Sequence, residues 1–490
     1  MKIKTLFALG KGISTFASIL LVSFLLLACN NLTIGGGSLI ISTPGARAVT
    51  GNGSYTFNLT GSKGASLNKT VSAGSTVQFD DLASDTYTIS VKGMDDAGTV
   101  VFSGSAKATV VAGKTATVTV DLQELLGSLT VEFTVPAEST ATSFTVEVSD
   151  SKDFSESKTV SDGPSVQFHA LAPDTYTIAV EGKDADGAVV LGGSSHATVT
   201  AGVTASATVN LVEGVGDYVS LQKAVGNGGT VHILKSIDVT SSLTVRTNVT
   251  IQAAYQDVVL KNTSSGNLFT VTNGNLTVGG GEHSITLDGN KVAQSIISVS
   301  GGTATLRDNG IIRNAAASGV QITSGTFNMD GGTITGNKGS NGGAVFMDGG
   351  KFNMNGGIIT GNTAEDTGGG IQLSGGTFIL SGGYIDNNRA SNGSGIYMFD
   401  GFFNMGGSAV INKNNDVFLS SSKMITITET LTGATPVATI TPAVYEVRQI
   451  LSFGTGSNFN LAEESTKFAV TPTDEGEWTI SSSGFLGKVQ

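Results

Sequence analysis

The sequence TFNMDGG at residues 326–332 recurs as KFNMNGG at 351–357 and as TFILSGG at 377–383. The copies are 25 and 26 residues apart, and each unit holds three short apolar segments separated by turns rich in glycine and asparagine. A coil of about 25 residues with three strands is the unit of a parallel β-solenoid, whose coils stack about 4.8 Å apart through backbone hydrogen bonds. The repeat therefore predicts a solenoid in the C-terminal half.

Alignment of the coils predicts columns of like side chains in the solenoid interior. The apolar columns are Phe327, Phe352 and Phe378; Ile334, Ile359 and Ile385; and Val320, Val345, Ile371 and Ile396. A further column is made of asparagines, namely Asn314, Asn337, Asn362, Asn388 and Asn414. Because an amide both donates and accepts hydrogen bonds, stacked asparagines can satisfy one another at a tight turn. We predict a structural asparagine ladder, with sugar binding by this column as the alternative.

An internal duplication lies upstream of the solenoid. Residues 77–122 match residues 166–211 at 28 of 46 positions, an offset of 89 residues. Each copy alternates apolar and polar residues with a period of two, which is typical of half-buried strands. Seven or so strands in 90 residues predict a small β-sandwich. The segment LAPDTYT at 171–177 resembles a turn of prealbumin-like and immunoglobulin-like bacterial surface modules, although aspartate stands where glycine is usual.

The N-terminus has the layout of an exported lipoprotein. A basic start precedes an apolar stretch at 13–28, which is short for a membrane-spanning helix of roughly 20 residues. The following LLAC at 26–29 resembles a bacterial lipobox, which implies cleavage between Ala28 and Cys29 and lipidation of Cys29. Cys29 is the only cysteine, so the fold has to be stable without disulfides. A soluble secreted protein is the alternative.

The net charge of the protein restricts the kinds of molecule that it is expected to bind. Cleavage after residue 28 removes three of the 27 basic residues and leaves all 39 acidic ones, which gives a net charge of −15. Nucleic acids and anionic lipid surfaces are bound through basic patches, and the sequence has no Lys/Arg run after the signal segment. We therefore predict no nucleic-acid partner and membrane contact through the lipid.

The coils resemble two groups of known proteins. As a whole, residues 215–424 resemble the pectin lyase-like right-handed β-helix superfamily, and LDGN at 287–290 is similar to a turn common there. The GGAV at 342–345 and FNMN at 352–355 resemble repeats of polymorphic outer-membrane adhesins. The chain departs from those adhesins because it has a lipobox and no recognisable C-terminal barrel. The resemblance implies a β-helix displayed on a bacterial surface.

The predicted fold is all-β, with two tandem β-sandwich modules followed by a right-handed parallel β-helix solenoid. A short helix at 218–225 with Asp217 as its N-cap is expected to cover the start of the solenoid. The predicted divisions are the signal peptide 1–28, a lipidated linker 29–36, modules at 37–125 and 126–214, a β-helix at 215–424, and terminal coils with a cap at 425–490.

No catalytic constellation is recognisable in the sequence. Polysaccharide cleavage needs paired carboxylates, or a base together with cations that hold an acidic sugar. In the coil alignment Asp330 lies beside Asn355, Glu365 and Asp366 fall in an irregular loop, and Arg313 stands alone in a turn. The sequence has no zinc spacing, P-loop or nucleophile motif. We predict no enzyme, no metal and no cofactor.

The predicted function is a non-catalytic adhesin or surface-binding protein, anchored by lipid at the outer membrane or cell surface, with a host surface or glycan as ligand. Two alternatives stay open. One is a carbohydrate-active lyase or hydrolase whose acids lie in loops that do not align. The other is a structural or antigenic coat protein.

Overall fold

The computed structural model describes residues 35–43, 54–72, 76–94, 98, 100–161, 163–454, 460–474 and 476–489. The predicted signal sequence, Ala28 and Cys29 lie outside these residues. The chain divides into two compact units, residues 1–125 and 126–490. It is all-β, with β-sandwich-like sheets followed by a β-solenoid of about nine turns.

The first unit is a sandwich of a three-stranded and a five-stranded sheet. Its strands are β1 (Gly37–Ser42), β2 (Ser54–Gly61), β3 (Ser66–Ser72), β4 (Val77–Leu82), β5 (Asp85–Met94), β6 (Val100–Val110), β7 (Thr115–Thr119) and β8 (Gln123–Glu124). The sheet orders are β4-β1-β7 and β3-β2-β5-β6-β8. Alternate residues of β2 and β5 are buried, as period-two patterning predicts.

The second module repeats this topology at the start of the second unit. Its strands are β9 (Gly127–Thr134), β10 (Ser143–Ser149), β11 (Ser155–Val160), β12 (Ser165–Leu171), β13 (Asp174–Lys183), β14 (Val189–Val199), β15 (Thr204–Asn210) and β16 (Val212–Glu213). The sheet orders are β12-β9-β15 and β11-β10-β13-β14-β16. In LAPDTYT, the hydroxyl of buried Tyr176 donates to the Ala172 carbonyl at 3.0 Å, which fixes the turn before β13.

Helix α1 (Tyr218–Asn227) precedes the solenoid, and the side chain of its N-cap Asp217 accepts from the Ser220 N–H at 2.9 Å, as predicted. The solenoid strands are β17 (Gly229–Ile233), β18 (Ile237–Val239), β19 (Leu243–Val245), β20 (Val249–Ala253), β21 (Val258–Asn262), β22 (Phe269–Val271), β23 (Asn275–Val278), β24 (Ile285–Asp288), β25 (Ile297–Leu306), β26 (Gly310–Arg313), β27 (Val320–Met329), β28 (Thr333–Thr335), β29 (Lys338–Asn341), β30 (Val345–Met354), β31 (Ile358–Thr360), β32 (Thr363–Thr367), β33 (Ile371–Leu380), β34 (Tyr384–Asp386), β35 (Ile396–Met398), β36 (Phe402–Gly407), β37 (Val410–Ile411), β38 (Asp416–Leu419), β39 (Ile425–Leu431), β40 (Ala438–Pro442), β41 (Leu451–Phe453) and β42 (Phe468–Val470).

These strands pair in parallel with their counterparts in the next coil. One sheet has eight strands in the order β18-β21-β24-β26-β28-β31-β34-β37, and we call its outer surface the eight-stranded face. A sixteen-stranded sheet forms the other walls, and its ten-residue strands, such as β27 and β30, pair in two segments separated by a glycine-containing turn. The coils from β18 to β37 thus contribute one strand each to the eight-stranded face, while β29 and β32 pair in a separate two-stranded sheet.

The predicted interior columns are confirmed by the strand register. The buried rings of Phe327, Phe352 and Phe378 follow one another at centroid distances of 5.2 and 4.9 Å. Phe403 adds a fourth ring at 5.0 Å. Ile334 likewise pairs with Ile359 in the adjacent coil. The interior is therefore a stack of like side chains, and its burial supplies the main stabilisation of a chain without disulfides.

The asparagine ladder runs through Asn337, Asn362, Asn388 and Asn415. In this ladder the Asn337 side-chain amide donates to Asn362 Oδ1 at 2.9 Å, Asn362 donates to Asn388 at 2.9 Å, and Asn388 donates to Asn415 at 3.0 Å. All four residues are at most 3% exposed, so these amides support the turn and offer no sugar-binding surface. Of these four, Asn337, Asn362 and Asn388 belong to the predicted column.

The register predicted for both ends of the ladder is wrong by one residue. Asn314 occupies the left-handed position that Gly336 and Gly361 fill in the next two coils, with φ of 61°, and Ala315 takes the ladder position. At the other end, an extra residue in the turn moves Asn414 out of line and brings in Asn415. Spacing counted from the regular coils does not reveal either shift.

The last residues continue and then close the solenoid. Strands β39 and β41 still pair in parallel, which extends the coils beyond residue 424. They are followed by α2 (Leu461–Ser465) and by the antiparallel pair β43 (Trp478–Ile480) and β44 (Leu486–Lys488). Buried Glu464 accepts from the Leu431 N–H at 3.0 Å and from Lys467 Nζ at 2.9 Å, which holds α2 against the final coils.

Candidate binding groove

The first coils carry a row of charged side chains along the eight-stranded face. Strand register aligns Asp238 with Lys261, Lys261 with Asp288, and Asp288 with Arg313. Their neighbours Val239, Leu260, Leu287 and Ile312 point inward and are buried. Because successive side chains of a strand point to opposite faces, the four charged residues form one outward row about 4.8 Å apart, with alternating sign.

An open groove lies over this row. Its volume is about 740 Å³, and it is lined by Ser236, Ile237, Asp238, Val259, Lys261, Asp288, Asn290, Lys291, Arg313 and Asn314. The lining thus combines three cations and two carboxylates with amides and a few aliphatic side chains. Charged and amide side chains around a concave surface can form charge-assisted hydrogen bonds with a polar ligand.

Asp288 organises the groove. Its carboxylate accepts from Arg313 Nε at 2.9 Å, from Asn314 Nδ2 at 3.0 and 3.2 Å, and from the Asn290 N–H at 2.8 Å. The Asp288 side chain is only 12% exposed. Its neighbours Asn290 and Lys291 both adopt positive φ, of 52° and 60°, in the turn that the sequence LDGN predicted. This network fixes the position of Arg313, and the Lys291 N–H donates to the Asn314 carbonyl at 2.7 Å.

Two lysines, Lys261 and Lys291, line the groove. Lys261 and Lys291 are exposed, and no carboxylate among the described residues pairs with either of them, whereas Arg313 is paired with Asp288. An unpaired ammonium attracts anions, and a concave wall focuses its field. In a chain with a net charge of −12, the groove thus has a local excess of one positive charge, from three cations and two carboxylates.

Sequence reasoning missed this groove. The coil alignment began at residue 303, so Lys261 and Asp288 had no aligned counterparts, and Arg313 was interpreted as an isolated turn residue. The turn LDGN and the alternation within β18, β21, β24 and β26 were the available signals.

The acidic residues named in the sequence analysis lie outside the groove. Asp330 accepts from Asn355 at 2.8 Å, and Glu365 pairs with Lys338 at 3.4 Å on the surface. The described residues contain no cluster of three or more potential metal ligands.

The second module docks against the same early coils. Lys235 Nζ lies 3.0 Å from Glu181 Oε1, and the Tyr255 ring packs over Gly192, where a Cβ would come within 2.6 Å of the ring. Burial, together with the nearby charge of Glu181, raises the pKa of Tyr255 to about 12. The main chain also joins the two parts, because Val215 bridges to Ile233 of β17. The first coils therefore support both the groove and the module.

Comparison with known proteins adds only distant structural likenesses. No protein-family model and no curated protein matches the chain. The Bacillus anthracis TIE protein is similar over 37% of this chain and 35% of its own, at 16% identity and a TM-score of 0.27, so this chain spans about a third of its length. The minor pilin GBS52 of Streptococcus agalactiae matches 36% of this chain and 96% of its own, at 11% identity and a TM-score of 0.17.

A third similar structure is the fimbrial anchor protein Mfa2 from Porphyromonas gingivalis, which covers 32% of this chain and 81% of its own at 11% identity and a TM-score of 0.17. Pilin and fimbrial proteins thus occur among the structural neighbours. Among the described residues, no helix has the length and apolar character needed to cross a membrane.

Proposed function

We propose that this chain is a lipid-anchored surface protein of the adhesin class, which binds a glycan carrying an acidic group in the groove of the early coils. The observation that carries the proposal is the placement of Lys261 and Lys291 beside Arg313 in an open groove, where no carboxylate of the described residues pairs with either lysine. Charged and amide side chains can bind a carboxylate or sulfate and the neighbouring hydroxyls of one sugar. The stacked interior gives this groove a rigid support.

The ligand part of the proposal is tested with an array of immobilised glycans and the full chain. We expect binding to glycans that carry a carboxylate or sulfate, and weaker binding at high salt, because screening shortens the reach of the lysine charges. Neutral glycans of the same length are the control. Equal binding to acidic and neutral glycans, or binding to neither, would contradict the proposal.

The anchor part rests on the lipobox resemblance of LLAC at 26–29. Lipid on Cys29 would hold the protein at the membrane by acyl-chain burial, worth about 0.8 kcal/mol per CH₂. We expect cells to incorporate a labelled fatty acid into the wild-type protein and not into Cys29→Ala, and external protease to cut the wild type on intact cells. An unchanged membrane-bound fraction of Cys29→Ala would refute lipid anchoring.

A polysaccharide hydrolase is the second candidate, because Asp238 and Asp288 both line the groove on alternate strands. Two strand spacings separate their Cα atoms by about 10 Å, close to the carboxylate separation of inverting glycosidases, about 6.5–9.5 Å. The hydrogen bonds that Asp288 already accepts from Arg313 and Asn314 favour a structural role for it. Release of reducing ends by the wild type, lost in Asp238→Asn, would establish the hydrolase instead.

A further inference from the structure

The eight-stranded face continues past the groove as a two-row surface. One outward row runs from Ile311 through Thr333 and Ile358 to Tyr384. The parallel row runs from Arg313 through Thr335 and Thr360 to Asp386. We call this surface the track. From Arg313 to Asp386 it spans three strand spacings, which is about 14 Å.

The far end of the track is open and partly apolar. Ile358 is 43% exposed and Tyr384 is 55% exposed, although they lie on adjacent strands and are paired in register. Between them and the groove lie half-buried threonines, whose hydroxyls can donate or accept hydrogen bonds. The track therefore joins a cationic groove to an exposed aromatic ring across a polar surface.

The two ends of the track differ in charge. The groove end carries Lys261, Lys291 and Arg313 against Asp238 and Asp288, an excess of one positive charge. Asp386 stands beside Tyr384 at the other end, with Asn387 donating to its Oδ2 at 2.9 Å. A carboxylate disfavours a second acidic sugar nearby and accepts hydrogen bonds from sugar hydroxyls. An acidic sugar of an oligosaccharide that lies along the track would therefore be attracted at the groove end only.

We infer that the groove and the track bind one linear oligosaccharide, with an acidic sugar at the groove and neutral sugars running to Tyr384. This inference rests on the proposed function and adds to it the direction, the length and the mixed composition of the ligand. The exposed ring of Tyr384 offers an apolar surface for the C–H face of a neutral sugar, and its hydroxyl offers a hydrogen bond. Tyr384 is thus a specificity-determining residue for ligand length.

Calorimetric titration of the full chain with three ligands tests the inference. The ligands are an acidic disaccharide, a longer oligosaccharide with one acidic terminal sugar and neutral remaining sugars, and an all-acidic oligosaccharide of equal length. We expect the mixed ligand to bind about three- to tenfold more tightly than the disaccharide, the range of an aromatic contact. The all-acidic ligand should gain no such advantage, because its distal sugars approach Asp386.

Variants assign that gain to Tyr384. In Tyr384→Ala the mixed ligand should fall to the affinity of the disaccharide, whose own binding stays unchanged, while Tyr384→Phe should keep most of the gain. Phe402→Ala is the matched control, because Phe402 is 70% exposed and lies on the sixteen-stranded sheet. It should leave all three affinities unchanged.

The possible failures are distinguishable. Binding of the disaccharide without a gain for the mixed ligand, or an equal gain for the all-acidic ligand, would overturn the inference and leave the proposed function standing. A Tyr384→Ala variant that keeps the full gain would overturn it as well. Binding of none of the three ligands would reject the proposed function and this inference together.

Discussion

The regular coils at 320–405 and the early coils at 229–313 share one fold but differ in how their surfaces are used. The regular coils repeat like residues inside and outside, so that Thr335 and Thr360 occupy one outward row on adjacent strands. The early coils keep the buried interior, but Asp238, Lys261 and Asp288 occupy the same outward row. Interior positions are constrained by stacking, and outward positions are free to vary.

Because of this difference, the sequence features that indicate the fold and those that indicate the site lie in different coils. The repeat is clearest where the surface is least specialised, and the charged groove lies where the repeat is weakest. Substitutions of interior residues in the regular coils should therefore change stability and leave the affinity for an acidic disaccharide unchanged. Substitutions of groove residues should do the opposite.

The largest expected effect is in the regular interior. Phe352→Ala removes the ring that stacks between Phe327 and Phe378, and we expect a loss of about 3–5 kcal/mol in the free energy of unfolding. Denaturant titration measures this loss. Ligand affinity, measured where the variant is still folded, should match the wild type. A loss below about 1 kcal/mol would contradict the continuous stack.

The next effect concerns the asparagine ladder. Asn362→Ala leaves buried partners in Asn337 and Asn388 without their hydrogen bonds, which should cost about 2–4 kcal/mol of stability. The exposed Asn355→Ala is the control and should cost less than about 0.5 kcal/mol. Equal midpoints of thermal unfolding for the two variants would show that the ladder adds no stability.

The end of the ladder gives a sharper test of register. Asn415 accepts from both the backbone and the side-chain amide of Asn388, whereas Asn414 lies outside the ladder. Asn415→Ala should therefore destabilise the chain by about 2–3 kcal/mol, with little effect of Asn414→Ala. Denaturation curves compare the two, and a larger loss in Asn414→Ala would restore the register predicted from sequence.

A pH-dependent effect is expected in the early coils at the junction with the second module. Tyr255 keeps its proton to about pH 12 when folded, while an unfolded chain releases it near pH 10. The unfolded state therefore binds fewer protons between these values, and stability falls as pH rises through this window, by up to about 2 kcal/mol. Tyr255→Phe should remove this part of the decline. Identical pH profiles for the variant and the wild type would refute it.

The fold was predictable because its determinants are periodic. The 25-residue repeat, the period-two alternation and the Asp217 cap each depend on local spacing, and the structure has the corresponding strands and helix. The groove was not predictable by the same route. Arg313 meets Asp288 only because β24 and β26 align across 25 residues that share no repeated motif.

The residues predicted for the two ends of the ladder were wrong for a related reason. A column counted from the regular coils assumes turns of constant length and composition. Ala315 and Asn415 break that assumption through a shifted asparagine and one added residue. Only the register of neighbouring strands shows which side chain enters the stack.

The central claim is that the groove of the early coils, and not the regular coils, holds the acidic group of the ligand. Calorimetric titration of an acidic disaccharide into two double variants of the full chain tests it directly. Lys261→Ala/Lys291→Ala and Lys338→Ala/Lys351→Ala remove the same charge from the two regions. At about 0.5–1 kcal/mol per lysine, we expect the first pair to weaken binding about tenfold, with the second pair within about twofold of the wild type. Equal weakening by both pairs, or none by the first, would contradict the account.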